Sequence, residues 1–282
     1  MSAVHRYVLL DVFTDTPLQG NQLAVFPDAR AIPPRQMQPL ARELNLSETV
    51  FVLAPEQGGD ARIRIFTPTA ELPFAGHPVL GAAIVVGGEL EADAVTLETG
   101  SGLVPVALRS GDGRVAYGSM CQPIPTWAPY ERARELLAAL GVERSGLPVE
   151  AYVNGPRHVY VELDGEGAVA ALAPDVRALA ELGAIGVSCF AGAGRRWTTR
   201  MFAPGLGVSE DPATGSAAGP LAVHLARHGR IAFGEQIEIR QGAEVGRPSL
   251  LHARAVGTPE AVERVEVGGS AVMLAGGELM LD

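Results

Sequence analysis

A chain of 282 residues exceeds one average domain of roughly 150 residues and predicts two, and a hydrophobic content of 47% is enough for two cores. The formal net charge of −10 argues against nucleic-acid and anionic-membrane partners, which need clustered basic side chains. All 22 basic residues are Arg, which removes the Schiff-base chemistry of pyridoxal enzymes and class I aldolases, and also the P-loop lysine.

In chain order, strands are expected first over 7–13 and 23–26. The apolar run at the amino terminus breaks at Asp11, too short for a signal peptide or a membrane span. A helix is predicted over 34–44, with Met37, Leu40, Ala41 and Leu44 at helical spacing and Pro39 either in the first turn or kinking it. Strands follow over 49–53 and 61–67; in the second, Ile63 and Ile65 take one face and Arg62 and Arg64 the other. Segment 78–86 is apolar nearly all round, so it predicts a helix enclosed on every side. After strands over 103–108 and 115–120, the Pro-rich stretch 122–129 reads as an extended linker. Amphipathic helices are expected over 130–140 and 174–182, with strands over 158–163 and 185–190. A second all-round apolar helix over 217–226 precedes strands over 236–240, 250–256 and 262–267. No segment reaches about 18 uninterrupted apolar residues. Cys121 and Cys189 lie outside any CxxC pair and read as buried structural thiols, in keeping with a reducing cytoplasm.

The two apolar helices sit in matching contexts. Arg64-Ile-Phe-Thr-Pro68 leads to Glu71-Leu-Pro-Phe-Ala-Gly76-His77 before the first, and Arg200-Met-Phe-Ala-Pro204 leads to Glu210-Asp-Pro-Ala-Thr-Gly215-Ser216 before the second. The same two elements, R-x-F-x-P and E-x-P-x-x-G, recur in the same order and argue for a duplicated lobe. The lobes are expected over 1–123 and 124–270, with 271–282 a terminal strand returning to the first.

Each E-x-P-x-x-G sets a Gly at the start of a buried helix, where unpaired N–H groups and partial positive charge favour an anionic ligand. His77 and Ser216 occupy equivalent positions there, either as N-caps or as ligand contacts. Asp211, opposite Leu72 of the other copy, is either a partner of the helix dipole or a receiver of an ammonium group. Glu48 opens an apolar strand; the residues alone leave it either an exposed strand-start charge or a functional carboxylate. Other signals are weaker. Gly192-Ala-Gly194 is followed by Arg195-Arg196-Trp197 where a dinucleotide fingerprint should continue. His224 and His228 have the spacing of a zinc helix without its glutamate and read as a helix face. Ser216 lies in G-S-x-x-G, not in a G-x-S-x-G nucleophile elbow, so a serine hydrolase ranks last.

Asp11-Val-Phe, Gly20-Asn21, Asn45-Leu-Ser-Glu48-Thr-Val-Phe, Glu71-Leu-Pro-Phe-Ala-Gly-His-Pro78 and Glu210-Asp-Pro-Ala-Thr-Gly-Ser-Ala217 together resemble the PhzF family, which shares the diaminopimelate epimerase fold. Met120-Cys121-Gln-Pro-Ile-Pro-Thr-Trp127, Asn154-Gly-Pro-Arg-His158 and Gly246-Arg-Pro-Ser249 extend the likeness over nearly the whole chain. The resemblance implies an α+β fold of two pseudo-symmetric lobes, each a β-barrel wrapped around a central apolar helix, with the site in the cleft between them. It also implies a cytoplasmic homodimer acting on a small molecule, with no cofactor and no metal.

Carried over position by position, Glu48 matches the family's acid/base, and His77 and Asp211 join it as catalytic, substrate-contacting residues. Ser216 matches a further substrate contact, and Ser47, Gly76 and Gly215 line the same site. Epimerases of this fold use two cysteines, one on each face of the substrate carbon; here the aligned positions are Ala75 and Thr214, which exchange no proton at neutral pH. A single carboxylate that takes a proton and returns it on one face favours isomerisation over racemisation. The implied reaction converts trans-2,3-dihydro-3-hydroxyanthranilate to 6-amino-5-oxocyclohex-2-ene-1-carboxylate, Glu48 carrying the proton from C3 to C1. Two alternatives stand beside it: an isomerase of another small cyclic or amino acid, and a small-acid binding protein without turnover.

Overall fold

The computed structural model describes residues 3–110 and 115–281. Strands β1 (Ala3–Val12) and β2 (Asn21–Phe26) are joined by a turn in which Phe13 and Leu18 take φ of 65° and 69°, and the Asp11 carboxylate accepts from the Leu18 N–H at 2.7 Å. Gly20 closes that turn at φ 67°, where a Cβ would meet the Val12 carbonyl oxygen at 2.4 Å; only glycine fits. Helix α1 (Pro34–Leu44) begins on a proline, carries Pro39 inside it, and ends at Asn45, whose left-handed φ of 51° turns the chain into β3 (Glu48–Leu53). β4 (Ala61–Phe66) and the short β5 (Glu71–Leu72) lead to α2 (Gly76–Leu90), followed by β6 (Ala94–Thr99), β7 (Gly102–Ser110) and β8 (Val115–Gln122). Then come β9 (Thr126–Pro129), α3 (Ala133–Leu140), β10 (Glu150–Val153), β11 (Arg157–Glu162), α4 (Glu166–Ala170), α5 (Val176–Ala180), β12 (Gly186–Ala193) and β13 (Arg196–Ala203). The last elements are β14 (Val208–Asp211), α6 (Gly215–Arg227), β15 (Gln236–Gln241), β16 (Ser249–Gly257) and β17 (Val262–Leu281).

This mixed α+β chain divides into two units, Met1–Cys121 with Gly268–Asp282, and Gln122–Val267. In the first unit the pairings run β1–β2–β3–β4–β6–β7–β8–β17 and return to β1, closing an eight-stranded barrel without a free edge. Two of its pairs are parallel: β2 with β3 across α1, and β4 with β6 across β5 and α2. A parallel pair needs a crossover connection, and here the second crossover is the central helix itself. α2 touches β1, β2, β3, β4, β6 and β7, which is why a helix with no polar face is stable there. Outside the barrel, Met37, Leu40 and Ala41 of α1 pack on Phe26, Phe51 and Phe66.

The second unit repeats the plan. Pairings run β9–β10–β11–β12–β13–β15–β16, with β11–β12 parallel across α4 and α5, and β13–β15 parallel across β14 and α6. α6 is buried from Gly215 to Ala226, and His224 meets the rings of Tyr152, Tyr160 and Phe190 from three successive strands. Leu136, Leu140, Val169 and Leu179 of the outer helices join Val159, Val161, Val187 and Phe202 in a separate core.

The structure corrects several expectations. Half of the supposed linker 122–129 is strand β9, paired with β10 in register from Thr126 opposite Val153 to Pro129 opposite Glu150; Pro129 at its end is tolerated because the strand is short and peripheral. The strand expected over 262–267 continues as one 20-residue strand, β17, whose glycines mask the apolar alternation. One of them, Gly277, lies against the Tyr7 ring, where a Cβ would sit 2.5 Å from Cζ. The helix expected over 174–182 is a single turn of five residues, capped by the Asp175 carboxylate. Cys189 is buried, whereas Cys121 is only half-buried.

Candidate active site

The recurring residues of the duplicated motif turn out to be braces. Arg64 donates from Nε and Nη2 to the two oxygens of Glu71, both at 2.7 Å, and lies 5.0 Å from the Phe66 ring centre. Arg200 does the same with Glu210, at 2.8 and 2.7 Å, and lies 5.0 Å from Phe202. In both units the fork of Arg locks the short strand before the central helix against the strand that precedes it. Of the candidate site residues in the motif, His77, Asp211 and Ser216 lie where the two copies differ, while Gly76 and Gly215 recur in both.

In the first unit, Glu48 is the first residue of β3 and His77 the second of α2, and the parallel register sets Leu23 of β2 beside Glu48. His77 Nε2 lies 3.3 Å from Glu48 Oε2, and the Asn21 side-chain amide lies 3.3 Å from His77 Nδ1. The Glu48 side chain is 15% exposed and His77 is buried. Burial pushes the His77 imidazole down to about 3, against a smaller upward pull from the Gln22 backbone, so the ring is neutral at working pH. A neutral ring carries one hydrogen, and its tautomer decides which ring nitrogen donates; Nε2 makes close contact with the carboxylate without a formed hydrogen bond. Ser47, half-buried, precedes Glu48 directly, and Gly76 is buried at the helix start.

In the second unit Asp211 ends β14, and Thr214 precedes the first turn of α6. Thr214 Oγ1 donates to Asp211 Oδ2 at 2.6 Å and accepts from Gln241 Nε2 at 2.9 Å. Gln241 also donates to the Asp211 carbonyl at 2.7 Å and accepts from the Thr214 N–H at 3.2 Å. Asp211 is thus fixed from both its side chain and its backbone. Ser216 Oγ lies 3.0 Å from His158 Nε2, and the Ser216 and Gly215 carbonyls accept from Asn154 and Gln122 at 3.0 and 2.8 Å. Neither α2 nor α6 has a side-chain cap at its start among the described residues. The first turn of a helix has N–H groups without a partner inside the helix, a setting that suits an anion.

The predicted residues accordingly fall into two groups: Ser47, Glu48, Gly76 and His77 in one unit, Asp211, Gly215 and Ser216 in the other. Sequence reasoning gave no role to Asn21, His158 or Gln241, although Gly20-Asn21 and Asn154-Gly-Pro-Arg-His158 stood among the segments of the resemblance. It also read His224 and His228 as a helix face. His224 is instead fully buried, and Glu150 Oε2 accepts from Tyr152 OH at 2.9 Å, His224 Nδ1 at 3.2 Å, Arg227 Nη1 at 2.8 Å and His228 Nε2 at 3.0 Å. Glu150, His224 and His228 are spaced closely enough to offer a metal three ligands, but the Arg227 guanidinium already holds the same oxygen. The cluster reads as a buried ionic tie between β10 and α6.

The family model described as phenazine biosynthesis-like protein matches residues 10–277. The chain belongs to the PhzF family. A trans-2,3-dihydro-3-hydroxyanthranilate isomerase of Pseudomonas aeruginosa is 57% identical over 278 residues, covering 99% of this chain and all (100%) of that one. The structure of a predicted epimerase from the same species superposes with a TM-score of 0.83 at 35% identity, covering 99% of this chain and 100% of that chain. At 14% identity and a TM-score of 0.63, a hydroxyproline epimerase of Agrobacterium vitis, covering 99% of this chain and 93% of its own, shares the fold alone. Within the PhzF family this chain has Ala75 and Thr214 at the two helix starts, and neither side chain serves as an acid or base there. No helix among the described residues is long and apolar enough to cross a membrane.

Proposed function

We infer that the protein is a trans-2,3-dihydro-3-hydroxyanthranilate isomerase. The observation that carries the reading is the single carboxylate of Glu48 against the neutral His77 ring, in a chain 57% identical, end to end, to an enzyme of that name. As a base, Glu48 removes the C3 proton; the double bonds shift, and the same carboxyl group returns the proton to C1 on that face. The enol so formed ketonises to 6-amino-5-oxocyclohex-2-ene-1-carboxylate. The neutral His77 ring, 3.3 Å away, packs against the Glu48 carboxylate and limits its solvation during both transfers. In the first unit the N–H groups at Gly76–His77, with Ser47 nearby, suit the substrate carboxylate; in the second, the N–H groups at Gly215–Ser216 suit the same group, and Asp211 suits an amino or hydroxyl group. Every step is a proton transfer within the substrate, so the chemistry calls for no redox partner. We place the enzyme in the cytoplasm as a homodimer, a state that light scattering reads directly.

Two measurements test the assignment. Glu48→Gln keeps the shape and removes the base, and the expected result is a loss of at least about 1,000-fold in turnover; near-normal turnover sinks the role of Glu48. In heavy water, carry-over of the C3 hydrogen to C1 is expected, and complete exchange with solvent counts against one shielded carboxylate. Absorbance during incubation with trans-2,3-dihydro-3-hydroxyanthranilate separates this substrate from another small cyclic acid.

A further inference from the structure

His158 has no place in the reaction as written, yet it is among the most confined polar side chains of the second unit. It is 2% exposed, and its β11 position pairs in register with Gly186 of β12. A Cβ at Gly186 would lie 2.6 Å from His158 Nδ1 and 3.1 Å from Cε1, so the missing side chain makes the space that the imidazole fills. Nε2 lies 3.0 Å from Ser216 Oγ, while Nδ1 has no hydrogen-bond partner among the described residues.

We propose that His158 is a positioning residue for substrate binding: it donates from Nε2 to Ser216 Oγ and so turns the serine hydroxyl hydrogen toward the substrate carboxylate. The tautomer follows from the bare Nδ1. A buried N–H without an acceptor is rarer and costlier than an unused lone pair, so the single hydrogen of the neutral ring belongs on Nε2. Burial holds the ring down at about 4, which keeps it neutral and the tautomer fixed across the working range. Ser216 Oγ then accepts from His158, and its own hydrogen points elsewhere. The backbone beneath it is equally fixed, because the Ser216 and Gly215 carbonyls accept from Asn154 and Gln122. The first unit has a related arrangement built from different residue types: there the helix-start residue is His77, and Asn21 of β2 approaches it at 3.3 Å. β2 and β11 each open the first parallel crossover of their unit, so each strand supplies the side chain that sets the residue at the helix start.

The proposal rests on Ser216 as a substrate contact, and a set of variants separates the two ideas. Ser216→Ala is expected to raise KM about tenfold with kcat changed by less than about twofold, the loss of one ground-state hydrogen bond. His158→Leu is expected to raise KM about fivefold, and the double variant to be no worse than Ser216→Ala alone, because a residue acting through Ser216 adds nothing once the hydroxyl is gone. His158→Gln, whose amide nitrogen reaches the place of Nε2, should restore KM to within about twofold. Nitrogen-15 NMR should find His158 as the Nε2-protonated neutral ring.

If Ser216→Ala raises KM but the His158→Leu effect is additive, or His158→Gln fails to restore it, the positioning role is wrong and the Ser216 contact survives. An Nδ1-protonated ring has the same meaning. If Ser216→Ala leaves KM unchanged, the substrate contact itself falls and the positioning role with it.

Discussion

Replacing Glu210 with Gln leaves the Arg200 guanidinium where it is, because Nη1 also donates to the carbonyls of Ala170 and Leu172 at 3.2 and 2.7 Å. The Arg200 and Glu210 side chains are 10% and 13% exposed, so little water replaces the lost carboxylate. Breaking such a buried pair on one side costs about 3 kcal/mol or more. The duplicated copy is a control within the same chain. Arg64 and Glu71 are 26% and 43% exposed, and water reaches what Glu71→Gln uncovers; that substitution should cost less than about 1 kcal/mol. Urea unfolding of the two variants, with calorimetry beside it, reads the contrast. At about 2–4 °C per kcal/mol for chains of this order, Glu210→Gln should lower Tm by roughly 6–12 °C and Glu71→Gln by only a few degrees. Equal losses, or a loss under about 1 kcal/mol at Glu210, would refute the argument that burial decides the value of this bidentate pair.

Acid should destabilise the protein through its buried neutral histidines. Burial lowers His77 to about 3 and His158 to about 4, whereas an unfolded histidine titrates near 6.5. As pH falls through about 6.5 the unfolded chain takes up protons that the folded one refuses, so stability is full above that point. Below it, stability falls by about 1.4 kcal/mol per pH unit for each ring until the folded value is passed. Urea titrations from pH 7 to 4.5 should show His158→Gln with a slope shallower by one ring's share; an unchanged slope contradicts the burial. Gly81→Ala would set a Cβ 2.4 Å from Leu23 Cδ2 and should cost about 1–3 kcal/mol by overpacking. Since Leu23 is the β2 partner of Glu48, kcat should fall as well. Gly88→Ala, in the same helix with nothing within 4 Å, should instead stabilise by up to about 1 kcal/mol; the opposite order would mean that α2 is not packed as described.

Much of this was legible in the residues, for definable reasons. The all-round apolar segments had to be enclosed helices, and α2 and α6 lie where 78–86 and 217–226 placed them, each a few residues longer. Pro34 and Asn45 carry local backbone preferences that survive in any context, so α1 has its expected limits. Strands β9, β10 and β13 escaped because their partners, not their own patterns, make them strands; Val153 and Thr126 mean little apart. For the candidate site, residue type alone left Glu48 either an exposed strand-start charge or a functional carboxylate, and the family resemblance singled it out; the structure sets it 3.3 Å from His77. The supporting side chains were not legible, because Asn21, His158 and Gln241 acquire meaning only through contacts made 56, 58 and 27 positions away in sequence. The motif itself pointed both ways. Its repeated Arg and Glu brace the lead-in strands, while His77 and Ser216, where the repeat fails, lie at the candidate site.

The long strand β17 has a consequence for how the chain is made. Ala3 pairs with Leu281, and Val12 with Ala271, so the opening strand of the first barrel must wait for residues that are synthesised only after the whole of the second unit. Until then β1 offers an unpaired edge to any neighbour, at the stage of biosynthesis when chains are most prone to misassemble. The second unit needs no such delay, since its pairs from β9 to β16 are drawn from one continuous stretch. Of the two units, the one that begins first along the chain is the one completed last, and a chaperone that guards them would be needed at the first unit rather than at the second.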